Sequence, residues 1–453
     1  MKTQVPRIYV HTLGCSKNMV DSEVFMAQAK ANAFTVASDL DDADVLVINT
    51  CGFIEEAKQE SIDHILQGAD LKEQGKIKKL IVMGCLSERY AGDLQQEIPQ
   101  VDSYFGAHHL PDVLEELGGA FKHNLIGERE LSTPKHFAYL KIAEGCNNPC
   151  SFCAIPLMRG GHRSKTMDDL VIEAKLLRQK GVRELILIAQ DLTYYGLDIY
   201  GKRKLDELLK RLSDIGFDWI RMLYAYPAKF PTQILPVMRE RENICNYLDM
   251  PIQHTNTEML KSMRRGVTEN KLRDLLAQIR DEVPGIRLRT TFIIGYPEET
   301  REHFESLLRF MDDVRFDRLG VFPYSQEDDT VAFDYGDPIS RKEKMQRVKE
   351  VMELQEQISL DNNMGLMGKQ MPVLIDRIED SVAYGRTEFD CPEVDNEFVI
   401  QSAYDGFDMN DLKVGQFYTA EVDDVEPYDM FGHIVPDREG LADKSVKSFI
   451  NAE

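Results

Sequence analysis

From Arg7 the chain alternates short apolar runs with longer amphipathic stretches. RIYVHTLG (7–14), ADVLVINT (43–50) and KKLIVMG (78–84) are rich in Val and Ile and short enough to be buried strands. Helical spacing separates them over residues 22–33 and 53–74. Such alternation predicts a parallel sheet, and hence an N-terminal α/β domain over residues 1–134. The polar stretch GERELSTPKH, from Gly127, predicts the linker that ends it.

A second series opens at FAYLKIAEG and continues through ELILIAQ, DWIRMLYAY, CNYLDMPIQ, IRLRTTFIIG and DRLGVFPYS. Helical patterns at 167–180, 204–214, 270–282 and 301–314 lie between them. Six strands alternating with helices predict a partial (βα)6 barrel over residues 135–368, closed by one long helix from Arg341. Functional residues of such barrels gather at the carboxyl ends of the strands. Beyond Gly368 come QMPVLIDRI, SVAYGRTEF, NEFVIQSA, GQFYTAEVDDV and MFGHIVP, short strands separated by turn signals. They predict a small antiparallel β-barrel over 369–440, with 441–453 as a tail. The expected fold class is α/β plus a small all-β domain.

The 453 residues suffice for several cores, and their net charge is −23. MKTQVPRIYV lacks the apolar core of a signal peptide, and no apolar run approaches the length that spans a bilayer. A cytoplasmic protein without membrane contact is expected. There, eight cysteines read as metal or redox ligands more readily than as disulfides. The acidic balance argues against a general nucleic-acid binder.

Cys146, Cys150 and Cys153 form a Cys-x3-Cys-x2-Cys run in EGCNNPCSFCAIP, directly after the first barrel strand. Two sites fit three such thiols. One is a structural zinc with His162 as fourth ligand. The other is an iron–sulfur cubane whose fourth iron stays open to a ligand. Cys15, Cys51 and Cys85 are distant in sequence, but each sits at or just after the end of a predicted strand. In a parallel sheet those ends share one edge, so the three thiols are expected to converge. Cys245 and Cys391 have no cysteine neighbours and read as structural. Gln190 and Asp191, Gln253 and His254, and Gly295 to Glu299 end further barrel strands. Glycine at 295 would let backbone approach a ligand closely. RGGHRSK, from Arg159, is a basic loop that could reach a cofactor or substrate.

The cysteine run after the first strand of a partial barrel resembles the radical S-adenosylmethionine superfamily. EGCNNPCSFCAIPLMRGGHRSK, TLGCSKNMVDSE, INTCGFIEEAKQES, MGCLSERY, DMPIQHTNTEMLKSMRRG and TTFIIGYPEET narrow the resemblance to the methylthiotransferases. It implies a [4Fe–4S] cluster on Cys146, Cys150 and Cys153 whose open iron chelates S-adenosylmethionine. One electron then breaks the sulfonium bond and releases a 5′-deoxyadenosyl radical. It implies a second, auxiliary [4Fe–4S] cluster on Cys15, Cys51 and Cys85, which carries the sulfur. It also implies an S-adenosylmethionine pocket at Gln190, Asp191, Gly295 and Glu298, a flavodoxin- or ferredoxin-like reductant, and a TRAM-like terminal barrel.

The family divides by substrate, and charge discriminates between the branches. Residues 370–440 hold 4 Lys and Arg against 18 Asp and Glu, a net of −14. Such a barrel repels RNA phosphates and attracts a basic protein. The expected reaction is methylthiolation of an aspartate β-carbon in a basic small-subunit ribosomal protein, number twelve, with no strong RNA binding by the barrel. The alternatives are a transfer-RNA adenosine methylthiotransferase and a non-catalytic zinc protein that docks on the ribosome.

Overall fold

The computed structural model describes residues 5–437; the expected tail at 441–453 and the last residues of the barrel segment lie outside them. β1 (Arg7–Thr12), β2 (Thr35–Val36), β3 (Val45–Thr50), β4 (Lys79–Gly84) and β5 (Ser103–Gly106) form a sheet ordered β2-β1-β3-β4-β5. Every pairing in it is parallel. The short edge strands β2 and β5 were not among the expected runs. The first helix spans Ser16–Ala31 and starts earlier than its apolar pattern suggests. Its buried face carries Lys17, Asn18, Ser22, Glu23 and Gln28, so burial there does not follow hydrophobicity.

β6 (Phe137–Lys141), β9 (Glu184–Ile188), β10 (Trp219–Met222), β11 (Ile244–Asp249), β12 (Arg287–Ile294) and β13 (Arg318–Pro323) make a six-stranded sheet, ordered β13-β12-β11-β10-β9-β6. All its pairings are parallel and it does not close, as expected of a partial barrel. Two short strands, β7 (Ala143–Glu144) and β8 (Arg163–Ser164), pair antiparallel and clasp the base of the cysteine loop. The long helix spans Arg341–Met364.

β14 (Gln370–Glu379), β15 (Val382–Arg386), β16 (Glu397–Ala403), β17 (Phe417–Val425) and β18 (Asp429–Ile434) close into a barrel around Val373, Phe398, Ile400, Val422 and Met430. It is not antiparallel throughout. β16 and β18 run parallel while the other four pairs are antiparallel. A closed ring with an odd number of strands cannot alternate direction at every pair.

Between β15 and β16 the chain leaves the barrel and lines the six-stranded sheet. Arg221 Nη1 donates to the Glu388 carbonyl (2.7 Å), the Asn246 backbone N–H to Glu388 Oε2 (3.0 Å), and Tyr247 Oη to Asp395 Oδ2 (2.6 Å). Arg318 Nη2 donates to Asp390 Oδ1 (2.6 Å). Glu184 accepts from Arg221 Nε and from Arg386 Nη1, each at 2.7 Å. Trp219 meets Phe417 of the barrel edge-on, with ring centroids 4.6 Å apart. Part of the barrel's acidity is therefore internal: Glu388, Asp390 and Asp395 serve buried contacts. Asp380, Asp405, Asp411, Asp423 and Asp424 remain exposed, so the outer face is still acidic. Among the described residues no helix is long and apolar enough to cross a membrane.

Candidate active site

The first three cysteines sit on one edge of the N-terminal sheet. Cys15 is the N-cap of the Ser16–Ala31 helix, Cys51 follows β3, and Cys85 follows β4 and opens the helix Cys85–Glu97. Gly14 lies at φ +82°, and a Cβ there would fall 2.6 Å from Cys51 Cβ and 2.8 Å from its Sγ. Only glycine lets these two segments approach so closely. Ser61 Oγ accepts from the Cys51 N–H (3.0 Å) and donates to its carbonyl (2.9 Å). Asn18 Nδ2 ties the loop after β1 to the end of β3 through the carbonyls of Leu13 (2.9 Å) and Thr50 (3.0 Å). Burial, reinforced by nearby Cys15, pushes the Cys51 thiol up to about 12; burial likewise raises Cys85.

The second set lies in the loop after β7, which joins the carboxyl edge of the six-stranded sheet. The Cys146 N–H donates to the Gly160 carbonyl (3.1 Å) and the Asn148 N–H to Cys146 Sγ (3.4 Å). The Cys153 N–H donates to the Cys150 carbonyl at 3.3 Å. Burial pushes Cys146 up to about 11, with Asp191 and Cys150 adding to it, and Cys153 up to about 12, with Cys150 and Cys146 adding to it. Metal binding at either set must displace these protons.

Two buried arginines aim at sulfur. Arg159 Nε donates to Cys85 Sγ (3.1 Å), while its Nη1 reaches Asp21 (2.6 Å) and Glu144 (3.1 Å) and its Nη2 reaches Asn18 Oδ1. Arg265 Nη1 donates to Cys150 Sγ (3.2 Å), and its guanidinium lies 4.3 Å from the Tyr226 ring. Lys141 joins Arg159 in binding both Asp21 and Glu144. Burial alone would raise Glu144, but Lys141 and Arg159 outweigh it and hold the carboxyl well below its usual range. Lys17, itself buried, places its ammonium 3.1 Å from the centre of the Tyr224 ring and closes the seam between the two domains. Arg159, the first residue of the basic loop, crosses to the other cysteine set. Sequence reading missed Arg265, Tyr226, Asn18 and Lys17 as site residues. The signal for Arg265, Lys17 and Asn18 was membership of the quoted MRRG and GCSKN stretches, and for Tyr226 its place at the end of DWIRMLYAY.

The donor sets fit iron–sulfur clusters. A neutral thiol is a weak acceptor, whereas a buried guanidinium is well matched by a metal-bound thiolate. Among the described residues no three His, Cys, Asp or Glu side chains are placed to hold one metal ion. His162, the expected fourth zinc ligand, faces Ser164 Oγ (3.1 Å) and the Tyr194 ring (4.7 Å).

Along the same strand ends, several buried polar atoms lack partners: Gln190 Oε1, Gln253 Oε1 and Thr255 Oγ1. His254 Nε2 and Glu299 Oε2 stand 3.5 Å apart with no hydrogen bond. Gln190 Nε2 is fixed by Glu144 Oε1 (2.6 Å). These atoms could take the polar groups of S-adenosylmethionine. Asp191 is already engaged by Asn148 Nδ2 (2.8 Å) and by the Thr193 N–H (2.8 Å) and hydroxyl (2.6 Å). It orients the residue whose N–H reaches Cys146. Gly295 faces Lys344, whose Cγ would lie 2.4 Å from an added Cβ; its small size makes room for that side chain. Glu298 is exposed and accepts from the Ser262 hydroxyl.

Residues 7–106 match a family described only as uncharacterized, UPF0004. Residues 140–311 match the Radical SAM superfamily and 367–435 the TRAM domain. The chain is 59% identical to the ribosomal protein uS12 methylthiotransferase RimO of Chloroherpeton thalassium, over 96% of this chain and 100% of that one. It is 52% identical to the protein of the same name from Chlorobaculum parvum, over 95% and 97% of the two chains. Its fold is similar to that of a radical S-adenosylmethionine methyltransferase, TsrM, from Kitasatospora setae. There the TM-score is 0.53 at 11% identity, over 70% of this chain and 72% of that one.

Proposed function

The chain belongs to the ribosomal protein uS12 methylthiotransferases, a family of radical SAM enzymes, and from that premise we propose how its two cysteine triads divide the reaction. It is an enzyme that transfers a sulfur-containing group, it acts on ribosomal protein uS12, and it ends in a TRAM barrel. As a radical SAM enzyme it uses a [4Fe–4S] cluster and S-adenosylmethionine.

In the proposed division, Cys146, Cys150 and Cys153 hold the cluster that binds S-adenosylmethionine, and Cys15, Cys51 and Cys85 hold a second one. When bound, these groups supply the radical chemistry that opens an unactivated C–H bond and delivers a methylthio group. The target is the β-carbon of an aspartate, which offers no acidic proton to a general base. The chain's own residues bind, orient and shield. Gln190 and Gln253 offer their unpartnered side-chain oxygens to S-adenosylmethionine; Asp191 supports the site through Asn148, while Gly295 and Glu298 face Lys344 and Ser262. The buried network of Lys141, Glu144, Asp21 and Arg159 fixes both cysteine sets relative to each other. Lys17 and Tyr224 join the two domains across the seam. The exposed acidic face of the barrel steers a basic ribosomal protein and does not bind RNA strongly. A flavodoxin- or ferredoxin-like protein supplies electrons, and the reaction takes place in the cytoplasm with the ribosome.

The observation that carries this reading is that Arg159, in the loop segment that follows Cys153, donates from Nε to Sγ of Cys85 in the N-terminal domain (3.1 Å). The test is anaerobic reconstitution followed by mass spectrometry of uS12 after incubation with reductant and S-adenosylmethionine. Roughly eight irons per chain, as two four-iron cubanes, and a methylthio mass increment on one aspartate are expected. Roughly four irons in the wild type would overturn the two-cluster assignment. Tight, salt-sensitive RNA binding by the isolated enzyme would overturn the role given to the barrel.

A further inference from the structure

Arg159 belongs to the loop of one cysteine set and serves the other. Its backbone ends the short helix Ile155–Arg159, which begins two residues after Cys153. Ala154, Ile155 and Met158 of that segment pack against Cys85. Arg159 is 3% exposed, and its Nε lies 3.1 Å from Cys85 Sγ. Its other contacts are balanced within the network, because Arg159 and Lys141 face the carboxylates of Asp21 and Glu144. The network is neutral as a whole, so Arg159 acts on the sulfur through its Nε–H, a short-range donor. Arg265 stands in the same relation to Cys150, at 3.2 Å, braced by the Tyr226 ring and the Tyr226 hydroxyl on its own carbonyl (3.0 Å).

We infer that Arg159 is a positioning residue that raises the reduction potential of the cluster held by Cys15, Cys51 and Cys85. Arg265 does the same, independently, at the Cys146, Cys150 and Cys153 cluster. The inference rests on the two-cluster reading. Its physical basis is the hydrogen bond from arginine to sulfur. One-electron reduction adds a unit of negative charge beside a guanidinium that water cannot screen, and hydrogen bonds to cluster sulfurs are a recognised control of potential. Arginine suits this role better than lysine, because its planar fork can hold Cys85, Asp21 and Asn18 at once.

The experiment is an EPR-monitored redox titration with dithionite on reconstituted full-length protein. To read the N-terminal cluster alone, the background carries alanine at Cys146, Cys150 and Cys153; the reverse background isolates the other cluster. Arg159→Gln should lower the reduced-to-oxidised ratio of the N-terminal cluster about ten-fold at fixed applied potential, about 59 mV for a one-electron couple. Arg159→Lys, which keeps the charge but not the fork, should fall between. Neither should move the loop cluster comparably, and Arg265→Gln should show the reverse pattern. An unchanged N-terminal potential at full iron content would overturn the inference. So would equal shifts of both clusters, which indicate general loosening. Loss of N-terminal iron in both Arg159 variants, with the loop site still loaded, would replace the redox role by a structural one. A wild-type Arg159 chain that holds no cluster in the first background defeats the two-cluster reading instead.

Discussion

Removing Glu184 should detach the terminal barrel from the sheet beneath it. Glu184 and Arg221 are both fully buried, and Glu184 bonds Arg221 Nε and Arg386 Nη1 at 2.7 Å each. In Glu184→Ala, Arg386 still has Asp376 Oδ2 at 2.6 Å. Arg221 keeps the carbonyls of Glu388 (2.7 Å) and Thr387 (3.4 Å) and the face of the Tyr247 ring (4.8 Å). Breaking a buried ion pair costs about 3–5 kcal/mol. The surviving partners put this case at the lower end, about 3 kcal/mol. With a urea slope of about 2–3 kcal/mol per molar, the transition midpoint should fall by roughly 1–1.5 M. The sequence has one tryptophan, and Trp219 packs on Phe417 across this interface. Its fluorescence therefore reports barrel undocking separately from unfolding elsewhere. Glu184→Gln, which retains an acceptor, should shift the midpoint less. A Glu184→Ala midpoint within about 0.3 M of wild type would refute the assignment of Glu184 as the interface's central acceptor, since such a shift corresponds to less than about 1 kcal/mol.

Gly14→Ala would place a methyl 2.6 Å from Cys51 Cβ at a φ of +82°; iron analysis should show loss of about half the metal, with the loop cluster retained. Asp376 gives a pH signature. Burial alone would raise its pKa, but Arg386 and the His136 hydrogen bond hold it below the ordinary carboxylate value. A lowered folded value means that its stabilisation is complete above the unfolded value near ~3.9 and is lost as pH falls below that. Trp219 fluorescence should thus show undocking below about pH 4, and Asp376→Asn should flatten that dependence while weakening docking at pH 7. The exposed Asp405, Asp411 and Asp424, changed together to Lys, should slow association with uS12 about ten-fold at low salt. Surface plasmon resonance should show the difference vanish at high salt; persistence there would mean that these groups act by contact rather than by field.

The cysteines were legible because their chemistry is tied to position. A strand end in a parallel sheet, or a spacing of four and three within one loop, places thiols without knowledge of distant packing. Both parallel sheets were readable from Val- and Ile-rich runs such as VLVINT and ELILI. The edge strands β2 and β5 were too short to carry a period. The helix at Ser16 hid its start behind Lys17 and Asn18, polar residues buried for the site rather than for the core. Arg159 and Arg265 were not legible, because a guanidinium's partner is set by which domain folds against it. Charge counting found the barrel's acidity but could not tell Asp405, which faces water, from Asp390, which neutralises Arg318 inside the molecule.

The stretch between β15 and β16 is covalently part of one domain and spatially part of another, which limits how the protein can be recombined. A chimera joined near Gly368 with a foreign TRAM module would strip Arg221, Arg289 and Arg318 of Glu388, Asp395 and Asp390. A graft meant to redirect substrate choice must therefore either keep this native insert within the new module or replace the three arginines along with it. Lineages that exchange this module should show both halves changing together.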